Sequence, residues 1–278
     1  MTFDPKTYHD THWTLSNHIS SLNVLDGTIW QHGESGLELI DENNELPVKL
    51  VTVGRVSAYR LKCGPAGNHI ANGMSPLEKA KYQFHISRPA HHDLAEDYQA
   101  GISTLEALQS QVATTKHRGS MIVEDVTGKM IRFIKNVFTL RENAIPDSPH
   151  GQAVEGAPQM DQETANWPIP DEFALPFDSI KYIYKPTPLP VFYEGDLIDP
   201  IHTNTALNGS ISEIEFTVRH WKIEDHDTFQ ASVEKITILR LGAVHHKTNY
   251  KRPHVNNDKD QPEKKKIHRD ADASSSKA

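Results

Sequence analysis

The sequence has very little cysteine and no long apolar run. Of its 278 residues one, Cys63, is a cysteine, which excludes an internal disulfide and a cysteine-rich zinc module. No stretch approaches the roughly 20 apolar residues that a transmembrane helix needs. The first residues, MTFDPKTYHDTHW, contain neither a basic nor an apolar segment, so we expect no secretory signal. These absences predict a soluble intracellular protein.

Sequence motifs of catalysis are also missing. There is no G-x-S-x-G nucleophile motif, no G-K-[ST] after the GPAG at 64–67, and no H-E-x-x-H among the 17 histidines. The strongest metal candidate is HHDLAED at 91–97, but Asp93 is equally suited to cap a helix there. We therefore predict no enzyme activity, no cofactor and no metal. A metal-dependent hydrolase built on these histidines is the weakest of three alternatives.

The charge is unevenly distributed along the chain. There are 29 Lys and Arg against 37 Asp and Glu, a net of −8. From Lys247 onward nine basic residues face five acidic ones, which leaves about −12 for residues 1–246. An acidic body argues against general binding of polyanions. It still permits a basic groove, because the field in a groove depends on local charge rather than on the sum.

Alternating apolar residues predict a mainly β protein. One helix is predicted from Leu94 to Val112, where apolar residues follow the helical period, with Asp93 as its cap. Thr127-Gly128-Lys129 fits a three-residue hairpin connection. One helix among many strands favours a barrel or a sandwich. The predicted strands are 48–63, 121–126, 130–140, 179–184, 191–198, 211–223 and 228–241.

Polar segments suggest how the chain is divided. Residues 1–46 are predicted to be an N-terminal extension, residues 47–244 the main domain, and residues 245–278 a disordered basic tail. The stretch 143–176 contains six prolines and few apolar residues, so we expect it to be an insertion in the main domain. Two small β domains joined by that stretch are the alternative.

Basic and aromatic residues recur together on the predicted strands. On 211–223, Arg219 and Trp221 fall on the face opposite the apolar residues. An aromatic ring beside a guanidinium can stack on an unpaired base and neutralise its phosphate. In the structural alternative, Trp221 packs under a loop and Arg219 pairs with Glu215 or a cross-strand carboxylate. The other predicted contacts to nucleic acid are Arg55, Tyr59, Arg60, Lys62, Arg132, Lys135, Lys181, Tyr182, Tyr184 and Arg240.

The C-terminal part of the chain resembles a known family. The resemblance is carried by Gly195, Asn208-Gly209-Ser210, the strand from Ile214 to Trp221 and the strand from Phe229 to Leu239. In order and spacing these are similar to the second half of OB-fold single-stranded DNA-binding proteins of phages and mobile elements. Uncharacterised fungal proteins that we take to derive from mobile elements share the pattern. Residues 190–242 carry most of the likeness and 48–62 a weaker part.

This resemblance implies both a fold and a function. The fold is an OB-like five-stranded barrel with insertions. The function is sequence-tolerant binding of single-stranded DNA in replication, recombination or repair, including that of a mobile element. Replication or recombination proteins are then further partners, and no membrane is involved. A protein-interaction module on the same barrel, with an exposed apolar patch and no affinity for nucleic acid, is the alternative function.

The C-terminal segment carries basic clusters. Lys251-Arg252 and Lys264-Lys265-Lys266, eleven residues apart, match a bipartite nuclear localisation signal. This predicts a nuclear protein; if the clusters act instead as nonspecific phosphate contacts, the location is cytoplasmic. In the family that this chain resembles, the bacterial and phage members commonly have acidic tails that recruit partners. The basic tail argues against that mode of recruitment here.

Overall fold

A mixed sheet of eleven strands organises the fold. The computed structural model describes residues 3–33, 36–71, 73–145 and 159–243, which all lie in one structural unit. The strands are β1 (Thr28–Gly33), β2 (Gly36–Asp41), β3 (Leu50–Val56), β4 (Lys81–Ser87), β5 (His117–Gly119), β6 (Ile122–Asp125), β7 (Gly128–Asn136), β8 (Phe138–Leu140), β9 (Tyr184–Pro186), β10 (Val191–Tyr193), β11 (Asp196–Leu197), β12 (Ile211–Ile223) and β13 (His226–Arg240). The helices are α1 (Pro5–His12), α2 (Asn23–Asp26), α3 (His92–Val112), α4 (Gln162–Ala165), α5 (Ala174–Ile180) and α6 (Thr203–Leu207). Strands β8 and β9 form a separate two-stranded sheet.

Five of these strands close into a ring. Its order is β3, β4, β7, β13 and β12, and β12 pairs back with β3. All neighbours are antiparallel except β7 and β13, which run parallel. Because the fourth ring strand along the chain, β12, lies between the first and the fifth, the ring is a Greek-key barrel like the OB fold. The prediction of a mainly β, OB-like five-stranded barrel is confirmed.

Large apolar side chains fill the inside of the ring. Strand alternation buries Ile214, Phe216 and Val218 of β12, as their spacing predicts. Phe133 of β7 stacks on Phe84 of β4, with ring centroids 5.2 Å apart, and meets Phe216 edge-on at 5.1 Å. Such pairs stabilise beyond the area that they bury, so the aromatic side chains fix β4, β7 and β12 against one another.

Helix α3 packs against the ring and agrees closely with the predicted helix at 94–112. Tyr98 is buried and its hydroxyl donates to the Ile86 carbonyl oxygen of β4 at 2.9 Å. The helix begins at His92, so the capping position falls on His91, whose side chain makes no capping hydrogen bond. The prediction that Asp93 is the cap was therefore wrong, because Asp93 already lies within the first turn.

Gly101, in the middle of α3, is required by the close approach of Ile19. A Cβ atom built on Gly101 would lie 2.5 Å from Ile19 Cδ1, and Ile19 is fully buried. For Gly101→Ala we expect a lower free energy of unfolding in urea denaturation. Overpacking costs about 1–3 kcal/mol, which exceeds the gain in helix propensity of roughly 0.8–1 kcal/mol. Adding Ile19→Val, which removes Cδ1, should recover part of the loss; a more stable Gly101→Ala protein would contradict the prediction.

The N-terminal residues pack directly on the barrel. Strand β2 pairs with β12, with Glu38 opposite Arg219, and so adds the β1–β2 hairpin to the sheet. Residues 5–12 form α1. The Tyr8 hydroxyl donates to the Glu213 carboxylate of β12, and His9 lies 2.8 Å from Asp97 of α3. The domain boundary at residue 46 stays a prediction.

Two predicted strands differ in the structure. In place of 48–63, β3 ends at Val56, and the chain then turns: the Ser57 hydroxyl oxygen accepts the Tyr59 N–H, and Arg60 adopts φ 53°. The segment 179–184 is not a strand, since α5 extends to Ile180 and β9 starts at Tyr184. Its apolar residues have helical spacing, and Phe177 of α5 is buried in the core.

The predicted hairpin between 121–126 and 130–140 is present with a tighter turn. Asp125 pairs with Gly128, so the connection has two residues rather than three. Gly128 has φ 111°, a conformation that other residues rarely adopt, as the turn prediction requires.

Part of the chain lies outside the described residues. This holds for 146–158 of the predicted insertion and for the whole predicted tail, including Lys251, Arg252, Lys264, Lys265 and Lys266. The insertion is described at 143–145 and 159–176, and the second of these ranges contains α4 and the start of α5. No helix in the described ranges is both long enough and apolar enough to span a membrane.

Candidate nucleic-acid interface

The outer side of strands β4 and β7 gathers basic and polar side chains. Alternation points Lys81 and Gln83 of β4 and Arg132 and Ile134 of β7 away from the core. Gln83 lies directly opposite Ile134 in the register. In an OB fold, the second and third strands form the surface that binds oligonucleotides, together with the loops after strands one and four. Strands β4 and β7 occupy those two positions in this ring.

The turn after β3 brings three predicted residues to this side. Tyr59 is 50% exposed, and Arg60 Cζ lies 5.1 Å from the centroid of its ring. The Tyr59 ring lies 5.9 Å from that of His85, on β4. Lys62 joins β4 through two backbone hydrogen bonds with Gln83, of 2.8 and 3.0 Å. Tyr59, Arg60 and Lys62 thus reach the outer side of β4 from a loop rather than from the predicted strand.

Strand β13 pairs with β7 on the edge away from β4, and the β12–β13 hairpin brings Trp221 to this edge. Trp221 is half-buried and lies opposite Thr228 in the hairpin. With Gln83, Arg132 and Ile134 it lines a cavity of about 210 Å³. We call the outward side chains that surround this cavity and the turn the β4–β7 face. Its members are Tyr59, Arg60, Lys62, Lys81, Gln83, Arg132, Ile134 and Trp221.

Among the described residues, no carboxylate pairs with the positive charge of the β4–β7 face. None of Arg60, Lys62, Lys81 and Arg132 forms an ion pair within the described part of the chain. Burial lowers the pKa of Arg132, and the nearby charge of Arg60 adds to the effect. An arginine so perturbed is still protonated at neutral pH, so two like charges stay close together. Such a pair of like charges favours the binding of an anion, because the bound anion relieves the repulsion between the two cations.

Two predicted contacts lie toward the start of β12. Arg55 and Arg240 are both exposed. In the strand register both lie opposite Ile211, Arg55 on β3 and Arg240 on β13. Arg55 also lies opposite Ser87 of β4, two residues beyond His85, so it borders the β4–β7 face. Arg240 lies on the far half of β13, ten residues or about 33 Å along the strand from Gln230, which lines the cavity.

Three predicted cations already have partners. They are Arg219 with Glu38 at 2.9 Å, Lys181 with Asp178 at 2.6 Å, and Lys135 with the Val233 carbonyl oxygen at 2.8 Å. The first pair is the cross-strand arrangement that the structural alternative predicts for Arg219. Lys135 lies three residues from Arg132, and this odd spacing sends its side chain to the opposite side of β7.

The two remaining tyrosines belong to another part of the surface. Tyr184 lies on β9 in the two-stranded sheet and packs partly against the core. Tyr182 precedes that strand, with Lys181 Nζ 5.5 Å from its ring centroid. Neither lines the cavity beside Trp221.

Several face residues escaped the sequence prediction. Lys81 and Gln83 alternate with the buried Tyr82 and Phe84, a pattern that marks them as outward-facing. Neither was predicted, because 81–87 is not among the predicted strands. Gln230, which lines the cavity, is neutral and carried no such signal.

Other chemistry has little support in the described residues. Among them no group of three or more His, Cys, Asp or Glu side chains is placed to hold a metal ion. In the segment 91–97, His92 lies 3.3 Å from Glu96, and both are largely exposed. Cys63 is buried, and burial raises the pKa of its thiol, which disfavours the nucleophilic thiolate.

Comparison with known proteins gives distant structural likenesses. No protein-family model and no curated protein matches the chain. Among solved structures it is similar to gp2.5, a single-stranded DNA binding protein encoded by bacteriophage T7, at 9% identity over 72% of this chain and 96% of that chain, with a TM-score of 0.41. It is also similar to the single-stranded DNA-binding protein from bacteriophage Enc34, at 9% identity over 80% and 94% of the two chains and a TM-score of 0.36. A complex of the Enc34 protein with ssDNA gives 9% identity, 77% and 95% coverage and a TM-score of 0.35.

Proposed function

We propose that this protein binds single-stranded DNA along the β4–β7 face with little dependence on overall sequence. The observation that carries the proposal is a group of cations with no described carboxylate partner, together with half-exposed aromatic rings, gathered at the outer side of the second and third strands of an OB-like barrel. Arg60, Lys62 and Lys81 would neutralise phosphates, while Tyr59 and Trp221 would stack on bases. A duplex offers its phosphates but hides the faces of its bases, so single strands should bind more tightly.

Direct binding measurements test this proposal. Fluorescence anisotropy with labelled oligo-dT, oligo-rU and duplex DNA at two salt concentrations should show tightest binding to oligo-dT. Affinity should fall as salt rises, with a slope of about −0.7 per neutralised phosphate. No binding to any of the three at low salt would remove the proposal.

Trp221→Ala is expected to weaken binding to oligo-dT. Stacking on an aromatic side chain contributes about 1 kcal/mol or more per base, so the dissociation constant should rise about fivefold or more. Trp13→Ala is the matched control, because Trp13 is 45% exposed and lies at the end of α1, outside the β4–β7 face. Equal losses in the two variants, measured by anisotropy, would argue that Trp221 does not stack on a base.

The biological setting is a wider proposal. A role in replication, recombination or repair, and an origin in a mobile element, are supported by the resemblance carried by residues 190–242. A nuclear location is supported by the basic clusters between 251 and 266, and localisation of a fluorescent fusion with and without those residues tests it.

One observation favours the protein-interaction alternative. A groove of about 730 Å³ beside α4 and β11 is lined by Trp167, Pro168, Pro188, Leu197 and Ile198, and Leu197 is 54% exposed. Apolar surface of this kind is typical of protein contacts. If the anisotropy experiment shows no binding of nucleic acid, a protein partner for this groove becomes the leading candidate.

A further inference from the structure

We propose that the cavity beside Trp221 binds one guanine base and reads it through Arg132. This inference rests on the proposed binding of single-stranded DNA and adds to it a preference at one nucleotide. The protein would then hold most of a strand without regard to sequence, but would favour registers that place a guanine in this cavity.

The size and walls of the cavity suit a single base. Its volume of about 210 Å³ falls below the roughly 300–1,000 Å³ of ordinary ligand clefts and corresponds to roughly seven water molecules of ~30 Å³ each. The Trp221 indole and the Ile134 side chain supply apolar walls, and β13 contributes Thr228 and Gln230. A planar ring that enters between these walls gains stacking that phosphate contacts alone do not provide.

Polar groups converge on the same space. Arg132 donates one N–H to the Ser120 carbonyl oxygen at 3.2 Å, which fixes the guanidinium and leaves further N–H groups free. Gln230 is held by a hydrogen bond of 2.6 Å to Ser232 Oγ. The side-chain amide of Gln83 has no hydrogen-bond partner among the described residues, although the backbone of β4 around it is paired with β7. An arginine fork and two amides therefore line one small cavity.

This set of groups discriminates between bases. The guanidinium fork can donate to two adjacent acceptors, and O6 and N7 of guanine form such a pair. Adenine presents an amino group where guanine has O6, so it would oppose an arginine N–H with another donor. Thymine and cytosine lack the N7 acceptor. Since a bidentate arginine contact discriminates by ~1–3 kcal/mol, guanine should be favoured about 5- to 100-fold over adenine.

The first test uses the unmodified protein. Four labelled dT oligonucleotides of equal length are compared by anisotropy: oligo-dT itself and oligomers with one central dG, dA or 7-deaza-dG. The dG oligomer should bind at least about fivefold more tightly than the dA oligomer. The 7-deaza-dG oligomer lacks N7 but keeps the same stacking surface, so its affinity should fall back toward that of oligo-dT.

The second test changes the protein while keeping its charge. Arg132→Lys retains the positive charge but removes the planar fork, so the ratio of the dG affinity to the dA affinity should fall to about one. Arg240→Lys is the matched control and should keep the ratio of the unmodified protein. The amide of Gln83 is probed by Gln83→Ala, which should also reduce this ratio.

The outcomes separate this inference from the proposed function. Tight binding to oligo-dT with equal affinities for the dG and dA oligomers would overturn the base cavity and leave the proposed function standing. No binding to oligo-dT would overturn both. A preference for dG that survives both 7-deaza substitution and Arg132→Lys would show that another group reads the base, and would also overturn the assignment to Arg132.

Discussion

Replacing Asp227 by alanine is expected to lower the free energy of unfolding by about 3–5 kcal/mol, because several hydrogen bonds to a buried carboxylate, each worth about 1.5–3 kcal/mol, are lost together. Asp227 is fully buried at the start of β13, and its Oδ1 lies 2.8 Å from His220 Nε2. Its Oδ2 accepts from the Thr114 N–H at 2.9 Å, the Thr115 N–H at 2.6 Å and the Thr115 hydroxyl at 2.7 Å. Alanine would leave the buried His220 side chain and these partly buried donors without their acceptor, and would release the segment after α3 from the hairpin.

The pH dependence of this loss identifies its cause. Burial alone would raise the pKa of Asp227, but the hydrogen bonds from Thr115 and His220 outweigh it and hold the pKa below its usual range. A carboxyl group with a lowered pKa stabilises the fold above its unfolded pKa, and that stability disappears as the pH falls toward the folded pKa. The difference between wild type and Asp227→Ala should therefore be constant at neutral pH and shrink below about pH 4.

Urea denaturation of both proteins across this pH range measures the effect. Asp125→Ala is the matched control, because Asp125 is exposed and bonds with Thr127 in a hairpin turn. Its loss should be much smaller than that of Asp227→Ala. Similar losses for the two variants would argue against Asp227 as the group that joins α3 to the hairpin.

The double substitution Arg60→Ala/Lys62→Ala is expected to weaken binding to oligo-dT about 100-fold or more at low salt, because charge-assisted contacts contribute about 1.5–3 kcal/mol each. Both cations lie on the β4–β7 face without a carboxylate partner in the described structure. If each neutralises one phosphate, the slope of log affinity against log salt should become shallower by about 1.4. Anisotropy at a series of salt concentrations measures both quantities.

A control with the same change in net charge separates a local effect from a general one. Lys235→Ala/Arg240→Ala also removes two positive charges, but from the far half of β13. It should change the affinity little and leave the salt slope intact. An equal loss in the two double variants would mean that overall charge, rather than the β4–β7 face, governs binding.

Strong local patterns explain which elements could be predicted. The final hairpin was predicted within two residues because Ile214, Phe216 and Val218 alternate strictly with polar residues. Helix α3 was predicted because its apolar residues keep the helical period in spite of Gly101. The end of β3 was not, since the turn after it requires Arg60 to adopt φ 53°, which residues other than glycine rarely do. The type of that residue gives no sign of the turn.

The candidate interface was predicted as a set of residue types rather than as a place. Arg132 and Lys135 looked equivalent in sequence, yet strand alternation sends them to opposite sides of β7. Arg60 and Trp221 are distant in sequence and share the β4–β7 face because β13 pairs with both β12 and β7. Arg219 fits the chemistry of a phosphate contact, but β2 supplies Glu38 directly opposite it. Ring closure and added strands decide these outcomes, and neither can be derived from a single strand.

The position of β12 and β13 along the chain has a consequence for folding. Both strands come after every other described strand, yet β2, β3, β7 and β10 pair with one or the other of them. A ribosome adding ~5–20 residues per second needs roughly 5–20 s to move from the end of β7 to the end of β13. During that interval β3, β4 and β7 have nothing to close against and leave open sheet edges, which are prone to aggregate. The nascent chain should therefore depend on chaperones until the hairpin emerges. Its folding should be slow, because the strand pairings that close the ring join residues far apart in the sequence.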